Sequence, residues 1–435
     1  MTAVGRISIP KLGGVISDNR DQLSLVLYVV LISLQFALSY IGIELPLIFR
    51  LAVLVILFLS LINNIKWTPF VFTLFWGTSL LSPLPVLPTE EYYMLLFALA
   101  IGAINLGIKK VRRNRFESWL LITVVYFLTV ALITIDSEMF TSPLFFLIPV
   151  ALVVSSFVKN EDDILRLMLA LMLMSLFLAA LFLLKRDDFV QSYKSFGIDR
   201  SGWTNANMFG GCVAVGLVCA VAYILNSLQQ NRNLFLNIVA ITTFLVTLPA
   251  LVLNASRGSL LSAAVVSVML LFVSKIKVSY KIIVTVLIIG FTVYLYNSGI
   301  FELLETRMGE ENLETGGNRT PIWEAKFKAF GESGLLSWIF GVGQPRLRYL
   351  GVFYSTHNDF ITALIGYGIT GFVLFMYFLF SPFRVAKRCR IQILILTSML
   401  LLEGMVLEPI FRGLLPFYMY YIILYKYSIL SRSQS

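Results

Sequence analysis

The sequence predicts an all-α, polytopic integral membrane protein of about 12–14 transmembrane helices. Three observations predict it. The chain is 58% hydrophobic and only 13% charged over 435 residues, where soluble domains carry about 25% charged residues. Its mean hydropathy is +0.86. The apolar segments are continuous rather than alternating, which excludes a strand-built barrel.

Runs long enough to cross a hydrocarbon core of ~30 Å fall at 24–43, 46–64, 67–86, 93–108, 117–135, 142–158 and 164–184. Seven more follow at 206–226, 234–253, 258–274, 280–299, 358–380, 391–409 and 413–430. Merging two early runs into hairpins or re-entrant segments reduces the count to twelve. Arg6, Lys11 and Arg20 precede the first run with no small-residue cleavage site, the pattern of an uncleaved signal anchor. The whole chain, 1–435, reads as one membrane domain, with 300–357 as a long loop between transmembrane helices that carries short helices.

Loop charge sets the sidedness. Lys109 to Arg115, Lys275/Lys277/Lys281 and Arg384/Lys387/Arg388/Arg390 fall on one side, while Glu90–Glu91 and Asp136/Glu138 fall on the other. The positive-inside rule then puts both termini in the cytoplasm and 300–357 outside. The net charge of +10 is accounted for by cytoplasmic loops facing anionic lipid, so no nucleic-acid partner is expected. Cys212, Cys219 and Cys389 sit in or beside apolar runs and suggest no disulfide framework. With one histidine and no cysteine cluster, a zinc site of several nitrogen and sulfur ligands is excluded, and no phosphate-binding GK[ST] loop exists. No cofactor is expected.

The external side holds the residues suited to chemistry. His357, the only histidine, stands in Ser355-Thr356-His357-Asn358-Asp359 where the long loop meets an apolar run. Imidazole switches charge near neutrality, so His357 reads as a general base or as an interfacial anchor. Arg257 lies in a short external turn, Asn254-Ala255-Ser256-Arg257-Gly258-Ser259. Short loops on that side avoid positive charge, so Arg257 reads as an anion ligand or a snorkelling arginine.

Arg319 precedes Thr320-Pro321, a helix-start signal with Thr320 as cap and Pro321 as first helical residue. Ile322, Trp323, Phe327 and Phe330 then share one face, with Glu324, Lys326 and Lys328 elsewhere. An amphipathic helix along the membrane or over an external cavity is expected, its amino end beside Arg319 offering an anion site. Asn205 and Asn207 open another helix externally, as simple caps or as supporting site residues. Gly341-Val342-Gly343 lacks the context of a dinucleotide fingerprint. Glu403, Glu408 and Arg412 are charges within or beside late spans, either a Glu–Arg structural pair or a site.

The order of these motifs resembles the O-antigen ligase and polymerase superfamily of bacterial inner-membrane glycosyltransferases. An external Ser-Arg-Gly turn is followed by a long loop with Arg-x-x-x-Trp and Gly-Val-Gly. A His-Asn pair then runs into a helix containing Gly366-Tyr367-Gly368-Ile369-Thr370-Gly371. The similarity covers roughly 195–380, and Asp359 is more acidic than the family pattern at that position.

The resemblance implies an undecaprenyl-diphosphate-linked glycan as donor and a glycolipid or glycan as acceptor. Arg257 and Arg319 would clamp the diphosphate and His357 would deprotonate the acceptor hydroxyl. Asn207, Asn358 and Asp359 would support them. Diphosphate is already a good leaving group, and guanidinium forks suit its oxygens better than lysine does. A single base implies direct displacement with inversion and no metal. The expectation is a periplasmic-face glycosyltransferase of the bacterial inner membrane, an O-antigen ligase acting on lipid A–core in lipopolysaccharide biosynthesis. The alternatives are a polymerase of the same family and, from another class, a polysaccharide or lipid-linked-sugar exporter.

Overall fold

Inside lipid a backbone has no water to bond, so apolar runs satisfy their own amides and carbonyls as helices. The computed structural model describes residues 19–43, 46–76, 155, 157–185, 206–228, 234–254, 256–299, 319–343, 347, 349–352, 356–386, 389–406, 409–411 and 415–433, with 125–126 and 129–130 as isolated pairs. The fourth expected span lies outside these residues; of the third only 67–76, of the fifth only 125–126 and 129–130, and of the sixth only 155 and 157–158 are described.

Among the described residues all regular structure is helical. The first helices are α1 (Asn19–Ile41), α2 (Leu47–Asn63) and α3 (Thr68–Val71), which runs into a π-helical turn, Phe72–Trp76. Then come α4 (Glu161–Leu184), α5 (Ala206–Ser227), α6 (Leu234–Leu253), α7 (Arg257–Val273) and α8 (Val278–Asn297). The segment expected as an external loop holds α9 (Arg319–Gly331) and α10 (Leu335–Phe340). The last three are α11 (Asp359–Val385), α12 (Arg390–Val406) and α13 (Leu415–Ser433). Five of the described helices are long and apolar enough to cross a membrane. The chain is an all-α polytopic membrane protein.

α4 is the centre of the bundle, packed on α5, α6 and α13. Its start is a reciprocal cap: Asn160 Oδ1 accepts from Asp163 N–H at 2.9 Å, and the Asp163 carboxylate accepts from Asn160 N–H at 3.2 Å. Close approach of α4 and α5 depends on Gly216, where a Cβ would fall 1.9 Å from Ser175 Oγ. Small residues at such crossings let membrane helices pack backbone to backbone. α8, by contrast, exposes Ile282, Val286, Leu287, Ile289 and Val293, as a lipid-facing helix does.

The bundle has two polar ends. At one, the buried Asp21 carboxylate accepts from Lys66 Nζ at 2.6 Å, Asn64 Nδ2 at 2.8 Å and Trp67 Nε1 at 3.1 Å. Arg166, bonded to Asp163 at 2.6 Å, lies over the Trp67 ring. The far end of α4 is marked by Phe182 against Phe209 of α5, ring centroids 5.1 Å apart. That is roughly 28 Å from Asp163 at 1.5 Å per residue. α5 begins there, and so does the cluster of Arg257, Arg319 and His357 described below.

α11 is not a plain helix. Asp359–Ile361 leads into a π-helical turn, Thr362–Gly366, and Gly368 has φ +71°. A side chain at Gly368 would put Cβ 2.3 Å from the Ile339 carbonyl oxygen. The carbonyls released by this break are taken up elsewhere. Val342 N–H donates to Ile365 O at 3.0 Å and Gly343 N–H to Gly366 O at 2.8 Å. Tyr126 Oη donates to Tyr367 O at 2.8 Å. Gly341-Val342-Gly343 is therefore a backbone splice holding the end of α10 against the α11 break.

α9 corrects the expected amphipathic face. Its inward positions are Arg319, Trp323, Lys326 and Phe330, spaced four, three and four, with Lys326 and Phe330 buried. Phe327 is exposed. Lys326 Nζ donates to the carbonyls of Leu347 (2.5 Å), Leu350 (3.3 Å) and Val352 (3.3 Å). Three ammonium protons meet three carbonyls of an otherwise irregular turn, which is why a lysine occupies a core position. The helix also starts at Arg319 rather than Pro321, which leaves the proline in the first turn, where its missing N–H costs nothing.

Candidate functional site

The site forms around the carboxyl end of α12. The last carbonyls of a helix have no partner within it. Here Met405 O accepts from Asn358 Nδ2 at 3.3 Å, and Val406 O accepts from Arg319 Nη1 at 2.6 Å. A cation at the negative end of a helix dipole is also favoured electrostatically. Arg319 and the His-Asn pair, from separate elements, thus meet at adjacent carbonyls of a third.

α9 and the segment before α11 are joined directly as well. Trp323 Nε1 donates to Thr356 O at 2.7 Å. Thr356 Oγ1 and Thr362 Oγ1 are 2.6 Å apart. Asn358 Oδ1 caps α11 by accepting from Phe360 N–H at 2.9 Å and Ile361 N–H at 3.0 Å. One amide group therefore caps one helix start and one helix end.

His357 is held between these two buried residues. Its φ of +50° is the only positive value at a non-glycine among the described residues. Such a backbone costs on the order of 1–3 kcal/mol and persists only where its surroundings over-determine it. Thr356 and Asn358 supply that determination, and the histidine side chain stays half-exposed.

Asp359 is buried, and both of its oxygens are occupied. Oδ2 accepts from Ile410 N–H and Oδ1 from Phe411 N–H, each at 3.1 Å. It ties the turn after α12 to the start of α11, and Gly404 leaves room for it, since a Cβ there would stand 3.3 Å from Oδ2. Glu408 and Arg412 of that turn lie outside the described residues, as does Asn205.

Arg257 is the first residue of α7 and half-buried. Its turn is pressed against α12: a Cβ on Gly258 would lie 2.3 Å from Val406 Cγ1. The side chain of Val406 thus abuts the Arg257 turn while its carbonyl holds Arg319. On the other flank Ser256 Oγ lies 3.2 Å from Asn207 Oδ1 and 3.1 Å from Ser259 Oγ. Gly210 of α5 makes that approach feasible, a Cβ there falling 2.6 Å from Ser256 Cβ.

Glu403, read from sequence as half of a Glu–Arg pair or as a site, bonds serines of α7 among the described residues; Arg412 lies outside them. Ser262 Oγ donates to Oε1 at 2.5 Å, and Ser259 Oγ lies 3.3 Å from Oε2. The spacing Ser256, Ser259, Ser262 in an apolar run was a readable signal for a polar helix face. The roles of Met405 and Val406 were not readable, because they act through backbone carbonyls.

Residues 242–376 match the family model described as O-antigen ligase. That match supports the likeness of this segment to the O-antigen ligase and polymerase superfamily. The matched segment contains Arg257, Arg319 and His357 and covers just under a third of the chain. It supports a glycosyltransferase-like membrane enzyme of ligase or polymerase type, acting on a lipid-linked glycan and an acceptor. No curated protein and no solved structure matches the chain.

Proposed function

We propose that this protein is a member of the O-antigen ligase and polymerase superfamily and transfers an undecaprenyl-diphosphate-linked glycan onto an acceptor sugar hydroxyl at the periplasmic face of the bacterial inner membrane. The first-choice acceptor is lipid A–core, which makes it an O-antigen ligase of lipopolysaccharide biosynthesis. The observation that carries the reading is the convergence at Met405 and Val406. Arg319 and the Asn358 beside His357 bind those two carbonyls, and the Arg257 turn packs on Val406.

In this scheme Arg257 and Arg319 bind the donor diphosphate and neutralise the charge that grows as it leaves. His357 accepts the acceptor hydroxyl proton while the oxygen forms its bond to the anomeric carbon. The bond from that carbon to the diphosphate oxygen breaks on the opposite face, so configuration inverts. The electron pair leaves on undecaprenyl diphosphate. The two guanidinium groups do the work a divalent cation would otherwise do, so the scheme routes no step through a metal. Asn207, Asn358 and Asp359 act by holding helix ends rather than by touching substrate.

The test is transfer by purified protein from an undecaprenyl-diphosphate-linked glycan to lipid A–core, with a second lipid-linked repeat as the competing acceptor. His357→Gln keeps hydrogen bonding and loses basicity. It should cost ~10²–10⁴-fold, the usual contribution of a positioned base. It should also remove the rise of rate with pH through the imidazole range. A Gln variant at wild-type rate would overturn the base assignment, and extension of the lipid-linked repeat alone would make the protein a polymerase.

A further inference from the structure

Glu403 takes no part in that reaction, although it is a fully buried carboxyl one turn from the carbonyls that gather the site. It faces α7 through two serines, and a line of side-chain contacts runs outward from it. Glu403 Oε2 to Ser259 Oγ is 3.3 Å, Ser259 Oγ to Ser256 Oγ is 3.1 Å, and Ser256 Oγ to Asn207 Oδ1 is 3.2 Å. Ser262 Oγ closes the other carboxyl oxygen at 2.5 Å. Ser256 immediately precedes Arg257, so the line ends at the turn that presents this arginine.

Counting hydrogens gives the line a direction. A serine hydroxyl has one proton to donate. Ser256 Oγ faces both Asn207 Oδ1 and Ser259 Oγ and donates to Ser259, and Ser259 donates to Glu403 Oε2. Ser262 donates to Oε1. The line therefore points inward, and both buried carboxyl oxygens accept from hydroxyls of α7.

We propose that Glu403 is a positioning residue: by accepting from Ser259 and Ser262 it locks the Ser256–Arg257 turn of α7 to the end of α12, setting Arg257 relative to Arg319. The two arginines come from different elements, and α12 is the body they share. Arg319 reaches it through the Val406 carbonyl. The Arg257 turn reaches it through Gly258 packing and the Glu403 line. Without Glu403 the turn loses its side-chain hydrogen-bonded tie to α12 and keeps its packing on Val406. This inference rests on the reading of Arg257 as a diphosphate ligand and adds the part that makes the pair act as one clamp.

The test measures affinity for undecaprenyl diphosphate, and donor KM and kcat for transfer, with protein reconstituted in lipid nanodiscs. Glu403→Ala should raise the donor KM about ten-fold with a smaller effect on kcat, a coupling typical of directly linked residues. The double variant Glu403→Ala/Arg257→Ala should be no worse than Arg257→Ala alone. Glu403→Gln, which keeps one acceptor oxygen and replaces the other with a donor, should recover only part of the affinity lost in Glu403→Ala. Ser259→Ala, which interrupts the line and leaves the Ser262 contact, should reproduce the Glu403→Ala effect in a protein that elutes as a folded monodisperse species. Additive losses in the double variant would overturn the proposal, as would unchanged donor KM in Glu403→Ala and Ser259→Ala. If Arg257→Ala alone leaves undecaprenyl diphosphate binding unchanged, the functional reading itself fails, an outcome separate from the others.

Discussion

Lys326 and Lys328 stand two residues apart in α9 and look alike in sequence, yet the structure gives them opposite fates. Lys326 is fully buried with three carbonyl partners, whereas Lys328 is exposed. Lys326→Met keeps most of the stem's apolar volume and removes the ammonium. A hydrogen bond to a charged group is worth ~1.5–3 kcal/mol, and only the 2.5 Å bond to Leu347 is short. The two 3.3 Å contacts are weaker, and the half-buried carbonyls can recover water in part. The net cost should be roughly 3 kcal/mol, concentrated in the docking of the 347–352 turn. That is about a hundred-fold in the population with the turn undocked, at 1.4 kcal/mol per factor of ten. Hydrogen exchange at the Leu350 and Val352 amides is the direct assay, and transfer activity should fall because α9 carries Arg319. Lys328→Met should change neither. Equal behaviour of the two variants would refute the docking role of Lys326.

Two further outcomes follow from the arginines and from the sidedness. Arg257→Lys and Arg319→Lys should each lower transfer by roughly ten- to over a hundred-fold despite the retained charge, because lysine lacks the planar fork. Steady-state kinetics with the lipid-linked donor checks this, and wild-type rates in both would leave only a snorkelling role. Cysteines placed at 319 and 357 should label with an impermeant thiol reagent in intact spheroplasts, and a cysteine at 112 should not. Labelling at 112 would reverse the topology and move the reaction to the wrong compartment.

Hydropathy made most of the described bundle legible, because in lipid an apolar run of sufficient length has few alternatives to a helix. Runs expected at 206–226, 234–253 and 258–274 form Ala206–Ser227, Leu234–Leu253 and Arg257–Val273. Hydropathy could not show the break at Thr362–Gly368. The carbonyls it releases are satisfied by residues 342, 343 and 126, all far away in sequence. The face of α9 was misassigned for a related reason. A lysine counts as solvent-facing on any apolar scale, and only the three carbonyls of a distant turn make its burial favourable. Arg257, Arg319 and His357 were legible because their side chains carry chemistry that is unusual for their surroundings. Asp359 was read as a supporting site residue. The structure shows both its oxygens bound to backbone amides, a role that acidic character alone does not reveal.

The family match ends at residue 376, short of α12, and the geometry offers a physical account of that limit. The groups proposed to meet substrate are side chains with specific chemistry, a guanidinium fork or an imidazole, and they lie inside the matched segment. The groups of α12 and the turn after it that receive them lie outside it and act mostly through backbone: the carbonyls of Met405 and Val406 and the amides of Ile410 and Phe411. Any residue supplies a carbonyl and nearly any supplies an amide, so an anchor built this way places little demand on side-chain identity. Glu403 is the exception, a side chain of α12 that reaches back to Ser259 and Ser262, just after Arg257. Its requirement is for two acceptor oxygens at fixed positions, which a carboxyl supplies. The end of α12 can therefore work as a scaffold for the three site residues while presenting almost no motif of its own.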